Sequence, residues 1–347
     1  MRRASWIHLV LAVGATAVAA PAAASPPVGT ISTVTGNLAA TDCISPEGIT
    51  MDFLGNIYTG SAKLAATTHI CKFDHHGAFV KSVKIEAGPG GIAPLLGVHF
   101  EPPHTVIALD FANSLASPPA SFGFNNGRVL SVDMESGVVT TIADGFAFPN
   151  GVAEDLLGRL YVADSFHGTI TRMNQDGSGR TVWSADPLLK GVGGAGLPIG
   201  ANGIAFDTFF QHVYVSNTSQ RLIVRIPVGQ GWTAGAAEIF ADGAAIDGAT
   251  GTALKGADGI AFDLFGQLYV MANAVNQIQV LSHSGQLTTR YSNPSLDPPM
   301  DTTASPIFWG NQLYFTNLSL RNPPATDSGV NSSVAVLQAP LPGLPPL

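Results

Sequence analysis

One short phrase recurs along this chain and constrains its fold more than any other feature of the sequence. The clearest copy starts at position 257 as ADGIAFD and is followed by GQLYV from position 266. Further copies start at positions 46, 149 and 201, with the sequences PEGITMD, PNGVAED and ANGIAFD. Counting a weaker copy at Gly97, the phrase glycine recurs about every fifty residues, which is typical of a β-propeller with one four-stranded blade per repeat.

Composition agrees with a protein made of many short strands. Of the 347 residues, 39 are Gly, 24 are Pro and only 12% are charged, which favours strands and tight turns over long helices. Five repeats divide into four strands each, whereas the sixth has only three before a Pro-rich end. Residues 29–36 resemble the outer strands of other repeats. The sequence therefore predicts an all-β, six-bladed propeller over residues 25–340, with the last blade closed by an N-terminal outer strand and residues 341–347 as coil.

The N-terminus has the features of a secretory signal peptide. Arg2 and Arg3 precede an apolar run over residues 9–20, and the small residues of positions 22–24 form a cleavage site. The run is too short to span a bilayer. We therefore expect residues 1–24 to be removed, leaving a secreted or periplasmic protein without a membrane span. The net charge of −8 gives no indication of nucleic-acid binding.

Cys43 and Cys71 are the two cysteines of the chain. In an oxidising compartment they can pair and close a modest loop. The alternative is that they are two separate small apolar residues. A cysteine metal site is not supported, because no further ligand lies at a suitable spacing.

The residue before the phrase glycine carries a side-chain oxygen in four repeats: Glu47, Asn150, Asn202 and Asp258. These residues sit at the start of the innermost strands, where a propeller narrows to its axis. Two carboxylates and two amides are hard oxygen ligands, which suit Ca²⁺ best, although Mn²⁺, Mg²⁺ or Zn²⁺ can substitute. The four side chains are therefore predicted to converge on one divalent cation.

A purely structural explanation also exists, since Asn-Gly and Asp-Gly are common turn pairs that could simply lead into each inner strand. Two observations argue against it. The first copy is Glu-Gly, which has no special turn preference, and the second and sixth repeats carry Leu96-Gly97 and Thr302-Thr303 at the matching place.

Strand direction places the phrase residues and the long inserts at one rim, as in a binding site with a partial lid. The inserts cover residues 113–126, 186–200, 242–256 and 321–331. His99 lies on the inner strand of the second blade, where it can face the tunnel as a base or substrate contact, or be an ordinary core or exposed histidine.

At these residues the chain resembles the senescence marker protein/gluconolactonase family, also called sugar lactone lactonases. It is more distantly similar to diisopropyl fluorophosphatase and paraoxonase. The resemblance covers roughly residues 29–340 and rests on the order Glu, Asn, Asn, Asp at matching spacing. It implies a six-bladed propeller with Ca²⁺ or a similar ion in the central tunnel. It also implies that Glu47, Asn202 and Asp258 are ligands, that Asn150 is a ligand or substrate contact, and that Asp258 is the candidate general base.

The chain departs from the family pattern at three places. Phe148 replaces the arginine that often binds substrate hydroxyls, Gly48-Ile49 replaces Gly-Pro, and Ala261 replaces an aspartate of a second calcium site in the fluorophosphatase. We expect Phe146, Phe122 and Phe124 near the mouth as well, and together with Phe148 they favour a substrate less polar than a sugar lactone.

The resulting hypothesis is a monomeric, metal-dependent hydrolase of lactones or related small esters. The ion would polarise the carbonyl, and Asp258, alone or with Glu47, would take a proton from water. One alternative is a non-catalytic binding propeller, because the LYVADS sequence from position 160 also resembles NHL repeats. Another is phosphotriesterase or lyase chemistry on the same scaffold.

Overall fold

Six four-stranded antiparallel sheets surround a central axis in the computed structural model of this chain. The structure describes residues 26–112, 125–193, 197–319 and 331–344. The predicted signal peptide lies outside these residues, as do Phe122, Phe124, most of residues 321–331 and the last three residues. The all-β, six-bladed propeller predicted from the sequence is confirmed.

The first five blades are each formed by four strands that follow one another in sequence. Blade 1 contains β2 (Pro46–Met51), β3 (Ile57–Ser61), β4 (Thr67–Phe73) and β5 (Phe79–Glu86). Blade 2 contains β6 (Leu95–Glu101), β7 (Thr105–Asp110), β8 (Gly127–Asp133) and β9 (Val139–Phe146). Blade 3 contains β10 (Pro149–Glu154), β11 (Arg159–Asp164), β12 (Thr169–Asn174) and β13 (Thr181–Ser184). Blade 4 contains β14 (Ala201–Phe206), β15 (His212–Asn217), β16 (Leu222–Pro227) and β17 (Glu238–Asp242). Blade 5 contains β18 (Ala257–Phe262), β19 (Leu268–Ala272), β20 (Gln277–Leu281) and β21 (Leu287–Tyr291).

The sixth blade combines both ends of the chain. It contains β22 (Thr303–Trp309), β23 (Gln312–Asn317) and β24 (Ser333–Gln338), and β1 (Ile31–Thr35) pairs with β24 as its outer strand. A short helix, α1 (Gly243–Asp247), follows β17. No helix in the described part of the chain has the length and apolar character that crossing a bilayer requires.

Neighbouring blades are joined by a repeated aromatic contact. The tyrosine of the second strand packs against the phenylalanine near the end of the next blade's inner strand. Ring centroids are 5.3 Å apart for Tyr58 and Phe100, and 5.1 Å apart for Tyr161 and Phe206. Tyr214 with Phe262 and Tyr269 with Phe308 repeat the contact. The Leu-Tyr and Ala-Phe pairs of the recurring phrase therefore build the apolar core between blades, where aromatic side chains bury the most area.

Cys43 and Cys71 form a disulfide, with 5.8 Å between their Cα atoms. Both residues are buried in an apolar cluster with Met51 and Phe73. The bond ties the segment before β2 to β4 and so links two parts of blade 1.

Candidate functional site

A β-bulge lies in every inner strand, and in five of the six it contains the phrase glycine. In β10, Pro149 is opposite Asp164 but Val152 is opposite Val162. An interval of three residues on β10 is therefore paired with an interval of two residues on β11. The same register shift occurs in the other five inner strands. The interpretation of these pairs as turns leading into the strands is therefore wrong. In the five blades with a phrase glycine, the inner strand already begins two residues before that glycine, and the bulge changes the direction of the side chain that precedes it.

The sixth blade needs a second correction. Thr303 is opposite Asn317 and Pro306 is opposite Phe315, so the bulged pair is Ala304-Ser305. The expected pair Thr302-Thr303 is off by two residues. This blade has no phrase glycine from which the spacing could be counted.

The phrase glycines are required by close packing between inner strands. A Cβ atom added to Gly48, Gly151 or Gly203 would lie 2.3, 2.2 or 2.5 Å from a backbone carbonyl oxygen of the next inner strand. Real Cβ atoms do not approach other atoms so closely. A residue without a side chain is needed for this approach of two backbones, and the tunnel can therefore be narrow at this level.

The four predicted ligand residues come together at this narrow level. Glu47, Asn150 and Asn202 line a cavity of about 70 Å³ on the tunnel axis. Asp258 lies beside it, close enough to Glu47 for the two carboxylates to repel each other. All four side chains are at least 95% buried. Residues from four blades, far apart in sequence, thus form one polar group in the tunnel.

Polar residues beyond this group fix its amides. The Nδ2 atom of Asn150 donates to Ser165 Oγ at 3.1 Å, and Asn202 Nδ2 donates to Thr218 Oγ1 at 2.9 Å. Each hydroxyl in turn donates to a backbone carbonyl of the next inner strand. Because the amide nitrogens are engaged, the amide oxygens are the groups that Asn150 and Asn202 can offer a cation.

Ser165 and Thr218 were not predicted from the sequence. Each follows the last residue of a second strand, so the antiparallel pairing of inner and second strands was the available signal. Asn273, which follows the last residue of β19, also contacts the group, since its Nδ2 donates to Asp258 Oδ2 at 2.8 Å.

The two carboxylates are incompletely satisfied. Glu47 Oε2 and Asp258 Oδ1 are buried and have no hydrogen-bond partner among the described residues. Burial, and then the nearby charge of Asp258, raises the pKa of Glu47 well above its usual value. Burial also raises the pKa of Asp258 to about 7, against the opposing hydrogen bonds from Asn273, Asn202 and the Gly259 backbone. Unpaired buried carboxylate oxygens are costly unless a cation or a proton compensates them.

This donor set fits a hard divalent cation. It offers two carboxylates with one free oxygen each and two oriented amide oxygens, which is the oxygen chemistry that Ca²⁺ and Mg²⁺ prefer. The described group contains no cysteine or histidine, so it is less suited to ions that favour softer ligands.

Phe148 lies in an apolar cluster rather than among the polar residues. Its ring is 4.6 Å from Phe111 and 4.5 Å from Phe166 between centroids, and Leu96 packs in the same cluster. Leu96 holds the position in blade 2 that the ligand residues hold in four other blades. One side of the polar group is therefore apolar.

His99 belongs to the other half of the tunnel. It lines a second, wider cavity of about 350 Å³, formed by the far ends of the inner strands. Its Nε2 lies 3.0 Å from Glu154 Oε2 and 3.5 Å from Glu101 Oε1. Although burial opposes it, these two carboxylates raise the pKa of His99 to about 9. The three side chains have ligand atoms close enough to hold a metal ion, but Gln175 and the charged histidine already pair with both carboxylates.

Comparisons with known proteins agree with this architecture. Residues 195–319 match the family model described as SMP-30/Gluconolactonase/LRE-like region, so the resemblance inferred from the sequence is confirmed for that part of the chain. A search of curated protein sequences found no significant match.

Several solved structures share the fold at low sequence identity. A luciferin-regenerating enzyme is 14% identical, with a TM-score of 0.63 over 91% of this chain and 98% of its own. Regucalcin from Agrobacterium tumefaciens strain C58, described as a calcium-binding protein, is 17% identical, with a TM-score of 0.60 over 91% and 98%. A putative gluconolactonase is 16% identical, with a TM-score of 0.59 over 89% and 93%.

Proposed function

We propose that this chain is a divalent-metal-dependent hydrolase of lactones or related small esters. The observation that carries the proposal is the convergence of Glu47, Asn150, Asn202 and Asp258, with one unpartnered oxygen on each buried carboxylate. The family match over residues 195–319, which includes Asn202 and Asp258, supports the same chemistry. Ca²⁺ is the proposed ion.

The proposed roles follow from the hydrogen bonds of each residue. A divalent ion held by the four side chains would act as a Lewis acid that polarises the ester carbonyl. Asn273 holds one oxygen of Asp258 and leaves the other free to accept a proton from water. In the metal-free chain burial raises the pKa of Asp258 to about 7. A bound cation would lower that pKa and keep the carboxylate deprotonated, which is the state that a general base needs. Asn150 and Asn202 are held in place by Ser165 and Thr218 and position the ion and the substrate.

We propose an apolar rather than sugar-like substituent on the substrate. The cluster of Leu96, Phe111 and Phe148 forms the apolar side of the site, and Phe148 occupies the place where the resembled family often has an arginine. A neutral, apolar lactone ring contacts such a wall without leaving polar groups unpaired.

The matched pair Asp258→Asn and Glu154→Gln tests the proposed function on a panel of lactones, aryl esters and organophosphates. We expect Asp258→Asn to lower kcat/KM for the best lactone by at least 10²-fold, because it removes the base and a ligand. Glu154→Gln changes a carboxyl four residues further along β10, in the other half of the tunnel, and should retain activity within threefold.

Retained lactone hydrolysis in folded Asp258→Asn would refute the role of that residue. Turnover of organophosphates or elimination products without lactone hydrolysis would assign a different reaction to the same site. Absence of turnover on every class, with no cation bound, would favour the non-catalytic binding propeller.

We also propose that the protein is exported and acts as a monomer outside the cytoplasm. The disulfide between Cys43 and Cys71 supports this location, because such bonds persist in oxidising compartments. N-terminal sequencing of the secreted protein should give Ser25 as its first residue.

A further inference from the structure

Four of the inner strands that carry a ligand residue at one end carry exposed apolar residues at the other. The turns after β2, β10, β14 and β18 have the sequences DFLG, DLLG, DTFF and DLFG. Of seventeen exposed large apolar residues in the described part of the chain, seven lie in these turns. They are Phe53, Leu54, Leu156, Leu157, Phe209, Leu264 and Phe265, here called the apolar ring.

The fold does not explain why these turn positions are apolar. In the first turn, the Gly55 N–H donates to the Asp52 carbonyl, and the Asp52 carboxylate accepts the Leu54 N–H. Equivalent bonds form in the third and fifth blades. The aspartate and the glycine thus define the turn, and the two central positions are free to be polar. Leu54 is 79% exposed and Phe209 is 78% exposed, so these side chains contribute little to the core.

The apolar ring surrounds the wider end of the tunnel. The cavity of about 350 Å³ is lined by the last residues of the inner strands, directly before the turns, and most of these residues are apolar. Phe210, next to Phe209 in the fourth turn, lines it as well. A continuous apolar region therefore extends from the turn tips into the tunnel, on the face opposite the proposed metal centre.

The N-terminal segment joins the fold at this same face. The Gly29 N–H donates to the carbonyl oxygen of Gln338. Gln338 is paired with Gln312, the first residue of β23, which directly follows the turn from β22. Gly29 therefore lies on the face that carries the apolar ring, and the chain before it includes the apolar run of residues 9–20. Before the predicted removal of residues 1–24, insertion of that run in a membrane would bring this face toward the lipid.

We infer that the apolar ring docks on the surface of a lipid bilayer. Separate turn tips around a cavity suit a fluid surface, since acyl chains adapt to each tip, whereas a rigid protein partner must present a matching pit for each. Docking on this side leaves the proposed metal centre facing the aqueous phase. The net charge of −8 makes apolar contact, rather than attraction to anionic lipid, the source of binding.

Flotation with phosphatidylcholine vesicles tests this inference on the protein as purified from a secreting host. We expect wild-type protein to float with the vesicles. The variant Leu54→Ser/Leu157→Ser/Phe209→Ser/Phe265→Ser should lose at least tenfold in partitioning, because one large apolar group is removed from each of four blades. Val182→Ser/Ile239→Ser changes two exposed apolar residues on the outer strands β13 and β17 and should stay within twofold.

Fluorescence quenching by brominated phosphatidylcholine reports on the ring itself, whether or not residues 1–25 are retained. The added tryptophan of Phe265→Trp should be quenched on vesicle binding, and that of Val182→Trp should not. Absence of vesicle binding, or equal quenching at both positions, overturns the inference. So does a wild-type dimer that does not bind vesicles and becomes monomeric in the fourfold serine variant, because a second copy would then cover the ring.

Discussion

Asp258 is the residue on which the chemical account depends. One of its oxygens is held by Asn273, the other has no partner, and it lies beside the equally buried Glu47. Such a pair is unfavourable in a protein without a compensating charge, because two buried carboxylates repel each other. The same feature that prepares the site for a cation therefore destabilises the metal-free protein.

This gives a pH-dependent prediction for the metal-free protein. The pKa of Asp258 is about 7 in the folded chain, against an ordinary value of 3.8. Between these values the folded state keeps a proton that the unfolded state releases. The contribution of Asp258 to stability therefore falls as pH rises from about 4 to about 7 and is constant above that range.

Urea unfolding in EDTA at pH 5 and pH 8 measures this effect. Asp258→Asn should remove a pH-dependent destabilisation on the order of a few kcal/mol, so it should stabilise the protein at pH 8 more than at pH 5. Asp144→Asn, at an exposed aspartate, serves as the control. An equal effect of Asp258→Asn at both pH values would contradict the account.

At the scale of the strand, the bulge is the element that makes the site. It places Glu47, Asn150, Asn202 and Asp258 toward the axis, and the adjacent glycine allows the next inner strand to approach. The distances between these four side chains therefore depend on the neighbouring glycines, which have no side chain that could bind a cation.

Gly203→Ala tests the role of the bulge glycine. Its Cβ would lie 2.5 Å from the Asp258 carbonyl oxygen and 2.7 Å from Gly259 Cα, and neither backbone atom can move alone. We expect a loss of about 1–3 kcal/mol in unfolding free energy and weaker cation binding. Gly193→Ala, where a Cβ meets none of the described residues within 4 Å, should change stability by no more than about 0.5 kcal/mol. Equal stability of the two variants would show that the close approach is unimportant.

The sequence predicted the strands well but not the bulges. Gly55, Gly158 and Gly266 occupy turns between alternating apolar runs, so the second strands could be placed from the pattern. Asn150-Gly151 also has the composition of a turn, and only the pairing with β11 shows that it lies inside a strand. Ser165 and Thr218 were missed for a related reason, since their contacts cross between strands.

At the scale of the molecule, the propeller separates two chemically different ends of one tunnel. One end has the predicted ligand carboxylates and amides. The other has a wider, mostly apolar cavity that also contains His99 and Glu154 and is bordered by the apolar ring. The period of about fifty residues was enough to predict the six-bladed propeller and the convergence of the four oxygen-bearing side chains. The apolar turn tips were visible in the sequence, but their common face follows only from the direction of the inner strands.

The central claim is that these four blades share one divalent cation. Elemental analysis of purified protein, with thermal unfolding in EDTA and in Ca²⁺, tests it most directly. We expect one cation per chain in wild-type protein and in Glu154→Gln, and none in Glu47→Gln or Asp258→Asn. Added Ca²⁺ should raise the Tm of only the first two. A cation that is kept by Glu47→Gln and lost by Glu154→Gln, or a wild-type protein that binds none, would contradict the account.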